Sequence, residues 1–177
     1  MAGFDSRAFR DALGSFATGV AIITSETAQG RIGATVSSFN SVSLDPPLIL
    51  FSLARSAFGI THWRAAAHYG VVILPDDQSD MSNKFARSGG DKWSDLPVQR
   101  MNNGSPLLPD WLAYFECEPY ANYDGGDHDI FVCRVSRFET RKGAEGPLVF
   151  FRGRYAALDR GSSVPTSPEI DFALHGW

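Results

Sequence analysis

The sequence predicts a mainly β protein, an antiparallel closed barrel with a few short helices on its outside. Three observations predict it. About six or seven short β-branched or apolar runs are spread over the chain, and those of its C-terminal half have hairpin spacing. The strand–helix alternation of a Rossmann sheet is missing, as is a GxGxxG loop. The 177 residues, 44% hydrophobic and 20% charged, suffice for one domain with its own core.

Phe9, Leu13 and Phe16 fall at i, i+4 and i+7 beside Ala8 and Ala12, the pattern of a short amphipathic helix that Gly19 ends. VAIITS (Val20–Ser25) and RIGATV (Arg31–Val36), separated by the turn residues TAQG, predict a hairpin. ATVSSFNSVSLDPPLILFSLARS, Ala34 to Ser56, then sets seven hydroxyl residues among small and apolar ones. Its Pro46-Pro47 sits at an edge or between strands. The apolar run Leu48–Ala54 predicts a strand buried on both faces. THWRAAAHY (Thr61–Tyr69) predicts a helix with Thr61 as N-cap and Gly70 as its end. Val71–Leu74 predicts a strand, and Gln78–Ser88 a short helix with Ser79 as N-cap and Met81 and Phe85 on one face. Residues 88–111, rich in Gly, Asp, Asn and Pro, predict a long loop. Leu112–Pro119, Asp129–Glu139 and Leu148–Leu158 predict the remaining strands. Residues 1–160 form the domain. Residues 161–177, GSSVPTSPEIDFALHGW, read as a linker and a small docking segment, whose IDFAL packs on its own barrel, on a partner subunit, or nowhere.

A net charge of −4 and a pI near 5.5 argue against a nucleic-acid or anionic-membrane surface. No apolar run approaches the ~20 residues that span a bilayer. The opening MAGFDSRAFRDALGSF carries Asp5 and Asp11 and lacks a secretory h-region. Cys117 and Cys133 make neither a disulfide scaffold nor a four-cysteine zinc site, and read as small buried hydrophobes in a reducing cytoplasm. His62, His68, His128 and His175 are too dispersed to suggest a metal site. No GxSxG elbow occurs, and Asp76-Asp77 reads as a solvated turn. A chain this poor in acid–base constellations points to chemistry carried by a cofactor.

Three stretches stand together: ATVSSFNSVSLDPPLILFSLARS; GGDHDIFVCRV, where Gly125, Gly126, Asp127 and His128 make a tight turn feeding a strand; and PLVFFRGRYAAL, which carries two consecutive aromatics and ends near Tyr155. In this order and spacing, with GVAIITS and QSDMSNKFA, they resemble the flavin reductase-like family from about Phe9 to Leu158. The resemblance implies a split β-barrel of the FMN-binding type. It implies hydride transfer from nicotinamide C4 of NADH or NADPH to N5 of FAD or FMN. Partners would be a second copy in a homodimer and a separate flavin-dependent oxygenase that receives the reduced flavin. Three departures stand out: Cys133 where glycine is common, VVILPDDQ without the usual asparagine, and SAFGITHW in place of a serine–threonine run.

By that match, Thr35, Val36, Ser37, Ser38, Ser41, Val42 and Ser43 line the flavin, whose carbonyls and ring nitrogens suit backbone N–H groups and short hydroxyls. Leu53, Ala54, Arg55 and Ser56 follow the next strand towards ribityl and phosphate. Arg55, Lys84 or Arg87 neutralises that phosphate, or is a solvated surface charge. Phe85 packs near the flavin or serves the core. His128 meets the nicotinamide, and Tyr155 either joins it or is an ordinary barrel tyrosine. Asp127 orients the His128 ring or caps the turn, the turn cap being the simpler reading. The loop GGDKWSDLPVQ and the size of the chain lean towards FAD and an aromatic-compound monooxygenase system. Two alternatives are a non-catalytic flavin carrier or store on the same barrel, and a pyridoxamine-phosphate-oxidase-like enzyme, which should carry more phosphate-binding Arg and Lys.

Overall fold

The computed structural model describes residues 4–143, 146–159 and 161, so the expected docking segment lies outside the described residues. In chain order the elements are α1 (Ser6–Leu13), β1 (Thr18–Gly19), β2 (Ala21–Thr27), β3 (Gly30–Val36), β4 (Asn40–Leu44), β5 (Pro47–Ala54), α2 (Ile60–Ala65) and β6 (Tyr69–Ile73). They continue with α3 (Ser79–Ala86), β7 (Gln99–Arg100), β8 (Pro106–Leu107), β9 (Ala113–Gly125), β10 (His128–Thr140), β11 (Val149–Phe151) and β12 (Arg154–Ala156).

Seven strands form one antiparallel sheet in the order β3-β2-β6-β9-β10-β5-β4. Its two outer strands, β3 and β4, are consecutive in the chain, and β3 also comes against β5, so the sheet wraps around its own interior. This is the split barrel that the motifs predict. Inside it, Phe51 stacks on Phe131 with ring centroids 5.1 Å apart, and Tyr69 meets both edge-on. Cys117 and Cys133 lie buried in the same cluster as free thiols. A second apolar layer lies outside the barrel wall, where Val20, Ile22, Val72 and Leu74 pack with Phe85 of α3, Tyr114 and Leu148. The strands buried on both faces are therefore β2 and β6, which separate these two layers. In β5, expected to be so buried, Ile49, Phe51 and Leu53 face the core while Leu50, Ser52 and Ala54 are only half-buried.

Local chemistry explains the other differences. The first helix stops at Leu13 with Gly14 as C-cap, five residues before the expected Gly19, which instead pairs in β1. The second helix runs from Ile60, preceded by a left-handed Gly59 rather than capped by Thr61. It ends at Ala65 because Tyr69 and Gly70 are needed in β6, paired with Cys117 and Glu116. The N-cap of α3 is Gln78, with Ser79 already inside the helix. The long 88–111 segment contains a two-stranded ribbon, β7 with β8. The strand expected to end at Pro119 runs on to Gly125, Pro119 being accommodated at a bulge against Val132 and Cys133. The strand expected over Leu148–Leu158 is a hairpin, turned at Arg152 and Gly153, both with positive φ. No helix among the described residues is long and apolar enough to cross a membrane.

Candidate active site

A cavity of about 460 Å³ opens where β3, the end of β5, α2, the last turn of α3, the 87–93 loop and His128 meet. That volume suits a small-molecule site. Of the expected residues, Thr35, Val36, Ser37, Ser38, Leu53, Ala54, Phe85, Arg87 and His128 line it. Ser41, Val42, Ser43, Arg55, Ser56, Lys84 and Tyr155 do not.

The fate of the hydroxyls is informative. Thr35 Oγ1 donates to the Ser82 carbonyl at 2.7 Å and fastens β3 to α3. Ser38 Oγ donates to the Ser52 carbonyl at 3.1 Å and accepts from its N–H at 2.9 Å, closing the β3–β4 turn onto β5. These two hydroxyls thus shape the wall, and Ser37 is the exposed one. Ser41, Val42 and Ser43 sit on the outermost strand, where a register shift passes over Val42. Tyr155 hydrogen-bonds Ser82 Oγ at 2.8 Å and Asn83 Oδ1 at 3.2 Å, and packs on Phe150, so it braces α3.

Phe85 serves both of its readings, being buried in the outer core and lining the cavity. Its ring lies so close to β3 that a Cβ on Gly33 would come within 2.5 Å of it. Lys92, which sequence reasoning missed, donates from Nζ to the carbonyls of Gly33 (3.1 Å) and Phe85 (2.9 Å). Burial pulls its pKa below the ordinary lysine value. It has no carboxylate partner among the described residues. Gly89 and Gly90 carry positive φ, and the Asp91 carboxylate then accepts from the N–H groups of Trp93 and Ser94, which fixes the Lys92-Trp93 pair. The GGDK signal was therefore present as turn chemistry: two flexible residues, a side chain that closes a turn, then a cation. Phe58, 77% exposed although it lines the cavity, is the second missed residue.

His128 also lines the cavity, and its Nδ1 lies 2.7 Å from Asp127 Oδ1. The turn itself is closed by Asp124, whose carboxylate accepts from Gly126 N–H at 2.8 Å. Asp127 therefore orients the ring, correcting the simpler expectation that it caps the turn. Its bond to His128 holds the Asp127 carboxyl below its usual range. Arg55 is ion-paired to Asp124 at 2.7 Å and to Asp129 at 3.1 Å, and Arg64 of α2 meets Asp129 at 2.6 Å.

A second cavity, about 710 Å³, lies between α1 and the β11–β12 turn, lined by Arg10, Phe16, Phe150 and Arg152 among others. Ser37 lines both cavities, so they adjoin. Neither Arg10 nor Arg152 forms an ion pair among the described residues. No group of three or more His, Cys, Asp or Glu that could hold a metal ion forms among the described residues.

The split barrel thus carries one backbone-rich cavity lined by both the half-buried cation Lys92 and the imidazole of His128. Residues 13–159 match the model of the flavin reductase like domain. The chain is 43% identical over 158 residues to the FMN reductase (NADH) SmoA of Agrobacterium fabrum, covering 89% of each. It is 36% identical to the reductase component of the 4-nitrophenol 4-monooxygenase/4-nitrocatechol 2-monooxygenase of Rhodococcus opacus, covering 85% of this chain and 80% of that one. Among solved structures, the NADH:FAD oxidoreductase SgcE6 of Streptomyces globisporus, in complex with NAD and FAD fragments, superposes with a TM-score of 0.83 at 30% identity, over 90% of this chain and 96% of that one. The chain spans about half the length of some other curated relatives it matches. The chain belongs to the flavin reductase-like family, and its reaction class is reduction of a flavin by a nicotinamide cofactor.

Proposed function

We propose that this chain is the reductase of a two-component system, oxidising NADH, reducing FAD or FMN, and releasing reduced flavin to a separate monooxygenase of aromatic compounds. The observation that carries the reading is the first cavity, which brings together the backbone-rich stretch Thr35 to Ser38, the cations Lys92 and Arg87, and the imidazole of His128. Its donor set fits a flavin. Backbone and short side chains of Thr35, Val36, Ser37 and Ser38 form one wall, without long side chains to order. Ala54 continues that wall on β5. Lys92 and Arg87 supply positive charge for a phosphate, Lys92 with one ammonium proton left after its two carbonyl bonds. Arg55, held by two carboxylates, supports the loop rather than the phosphate.

A bound flavin supplies the hydride acceptor, its N5, for nicotinamide C4. The protein's work is placement, since near-attack stacking requires no general base. His128 offers Nε2 to the nicotinamide amide or a phosphate oxygen, its ring aimed by Asp127. The exposed Phe58, which lines the same cavity, offers a face for a planar ring. The dinucleotide's diphosphate has Arg10 and Arg152, which form no ion pair among the described residues, available across Ser37. The relatives' use of NADH favours it over NADPH. Two buried free thiols suit a reducing cytoplasm.

The test is NADH and NADPH oxidation with FAD, FMN and riboflavin supplied separately, followed by transfer to an aromatic-compound monooxygenase component. Turnover with NADH and FAD or FMN, and product from the oxygenase, are expected. Tight flavin retention without NADH oxidation would instead mark a flavin store.

A further inference from the structure

Asp129 is a carboxylate whose side chain is only 6% exposed, and it stands one residue after His128. Both of its oxygens are engaged by cations from other elements: Oδ1 by Arg55 at the exit of β5, Oδ2 by Arg64 of α2. Arg55 extends the chain of bonds to Asp124, which accepts from Gly126 N–H in the turn. Arg55 N–H also donates to the Asp127 carbonyl at 2.9 Å. In the sheet, Asp129 pairs with Leu53 and His128 with Ala54. One buried carboxylate thus joins three pieces that border the cavity. These are the turn carrying His128, the strand end at Ala54, and the helix whose Trp63 lines the wall.

We propose that Asp129 is a positioning residue that sets His128 at the nicotinamide side of the cavity by latching its turn to β5 and α2; this rests on the function proposed above. The surrounding charges support such a latch. Arg64 first, and then Arg55, hold the Asp129 carboxyl below its usual range, so it is ionised throughout neutral pH. The Asp124 carboxyl is likewise lowered, first by the Gly126 N–H and then by Arg55. Asp127 and Arg10 are the other charges near the turn, and Arg10 acts through Asp127. Two cations therefore meet two carboxylates, and a neutral side chain at Asp129 leaves Arg55 and Arg64 to repel each other.

The experiment is a double-mutant cycle on the flavin-loaded protein, reading the KM for NADH, kcat, NAD⁺ binding by calorimetry and flavin affinity by fluorescence quenching. Asp129→Asn should raise KM and the NAD⁺ Kd about fivefold, with kcat and flavin affinity held within about twofold. In a His128→Ala background the same change should add almost nothing. Asp129→Glu should restore most of the affinity. Arg64→Gln, which leaves the carboxylate its Arg55 partner, gives a smaller effect of the same sign and serves if Asp129→Asn folds poorly. An equal loss in the His128→Ala background would mean general loosening and overturn the proposal, as would unchanged nicotinamide affinity in both variants. If His128→Ala alone leaves nicotinamide affinity untouched while Asp129→Asn lowers it, the placement of nicotinamide at His128 falls, and this inference with it.

Discussion

The chemistry at single residues separates the two ligands. His128 and Lys92 sit on different parts of the same cavity, and each has a partner that defines its role. His128→Ala should raise the KM for NADH about tenfold, the ~1–2 kcal/mol of one polar contact, and barely move flavin affinity. Steady-state kinetics alongside flavin fluorescence checks this, and loss of flavin with an unchanged nicotinamide KM would invert the site. Lys92 gives a pH dependence with a definite sign. Burial disfavours its charged form, so it deprotonates below the ordinary 10.5. Flavin affinity that uses this charge is complete below the lowered value and fades as pH rises through it. Lys92→Arg, which stays charged, should flatten that alkaline limb, while Lys92→Met should weaken binding below the lowered value and converge with the unaltered chain above it. Stability has the opposite sign. Between the folded and unfolded pKa values the unfolded chain holds more protons, so this residue's contribution to stability rises with pH.

Among the elements, β3 and α3 act as one wall because Phe85 lies against Gly33 and Thr35 bonds the Ser82 carbonyl. Gly33→Ala places a methyl group where Phe85 already is, so the ring and α3 must shift. The expected cost is ~1–3 kcal/mol, seen as a lower Tm, together with weaker flavin binding as the wall moves. An unchanged Tm and flavin Kd would show that the wall yields freely. The elements also show what the sequence made legible. The β2–β3 hairpin, the apolar strands and the His128 turn follow from short-range patterns that their final environment reinforces. Thr35 and Ser38 were expected to face a ligand, yet their hydroxyls hold the wall together, because a hydroxyl density cannot distinguish ligand contacts from backbone staples. Lys92 and Asp129 escaped notice because their partners lie in distant parts of the chain, at Gly33, Arg55 and Arg64. Tyr155, read either as a nicotinamide neighbour or as an ordinary barrel tyrosine, braces α3 through Ser82.

For the molecule as a whole, the helix α1 has the sequence pattern of a core-facing helix but buries no residue. Phe4, Phe9, Leu13 and Phe16 are exposed on or beside it. We propose that a second copy covers this apolar surface. Light scattering at micromolar concentration should then give twice the 19.3 kDa of one chain, and Phe9→Asp with Leu13→Asp should shift the protein to monomer. A monomer mass for the unaltered chain would contradict it. The central claim, that nicotinamide and flavin meet in the first cavity for direct reduction, is tested most directly by anaerobic rapid mixing. The chain, loaded with FAD or FMN, is mixed with NADH while the visible absorbance of oxidised flavin is followed. Rapid bleaching that saturates with NADH is expected, slowed for His128→Ala at low NADH and matching the unaltered chain at saturation. Bleaching no faster than free flavin with NADH would contradict it.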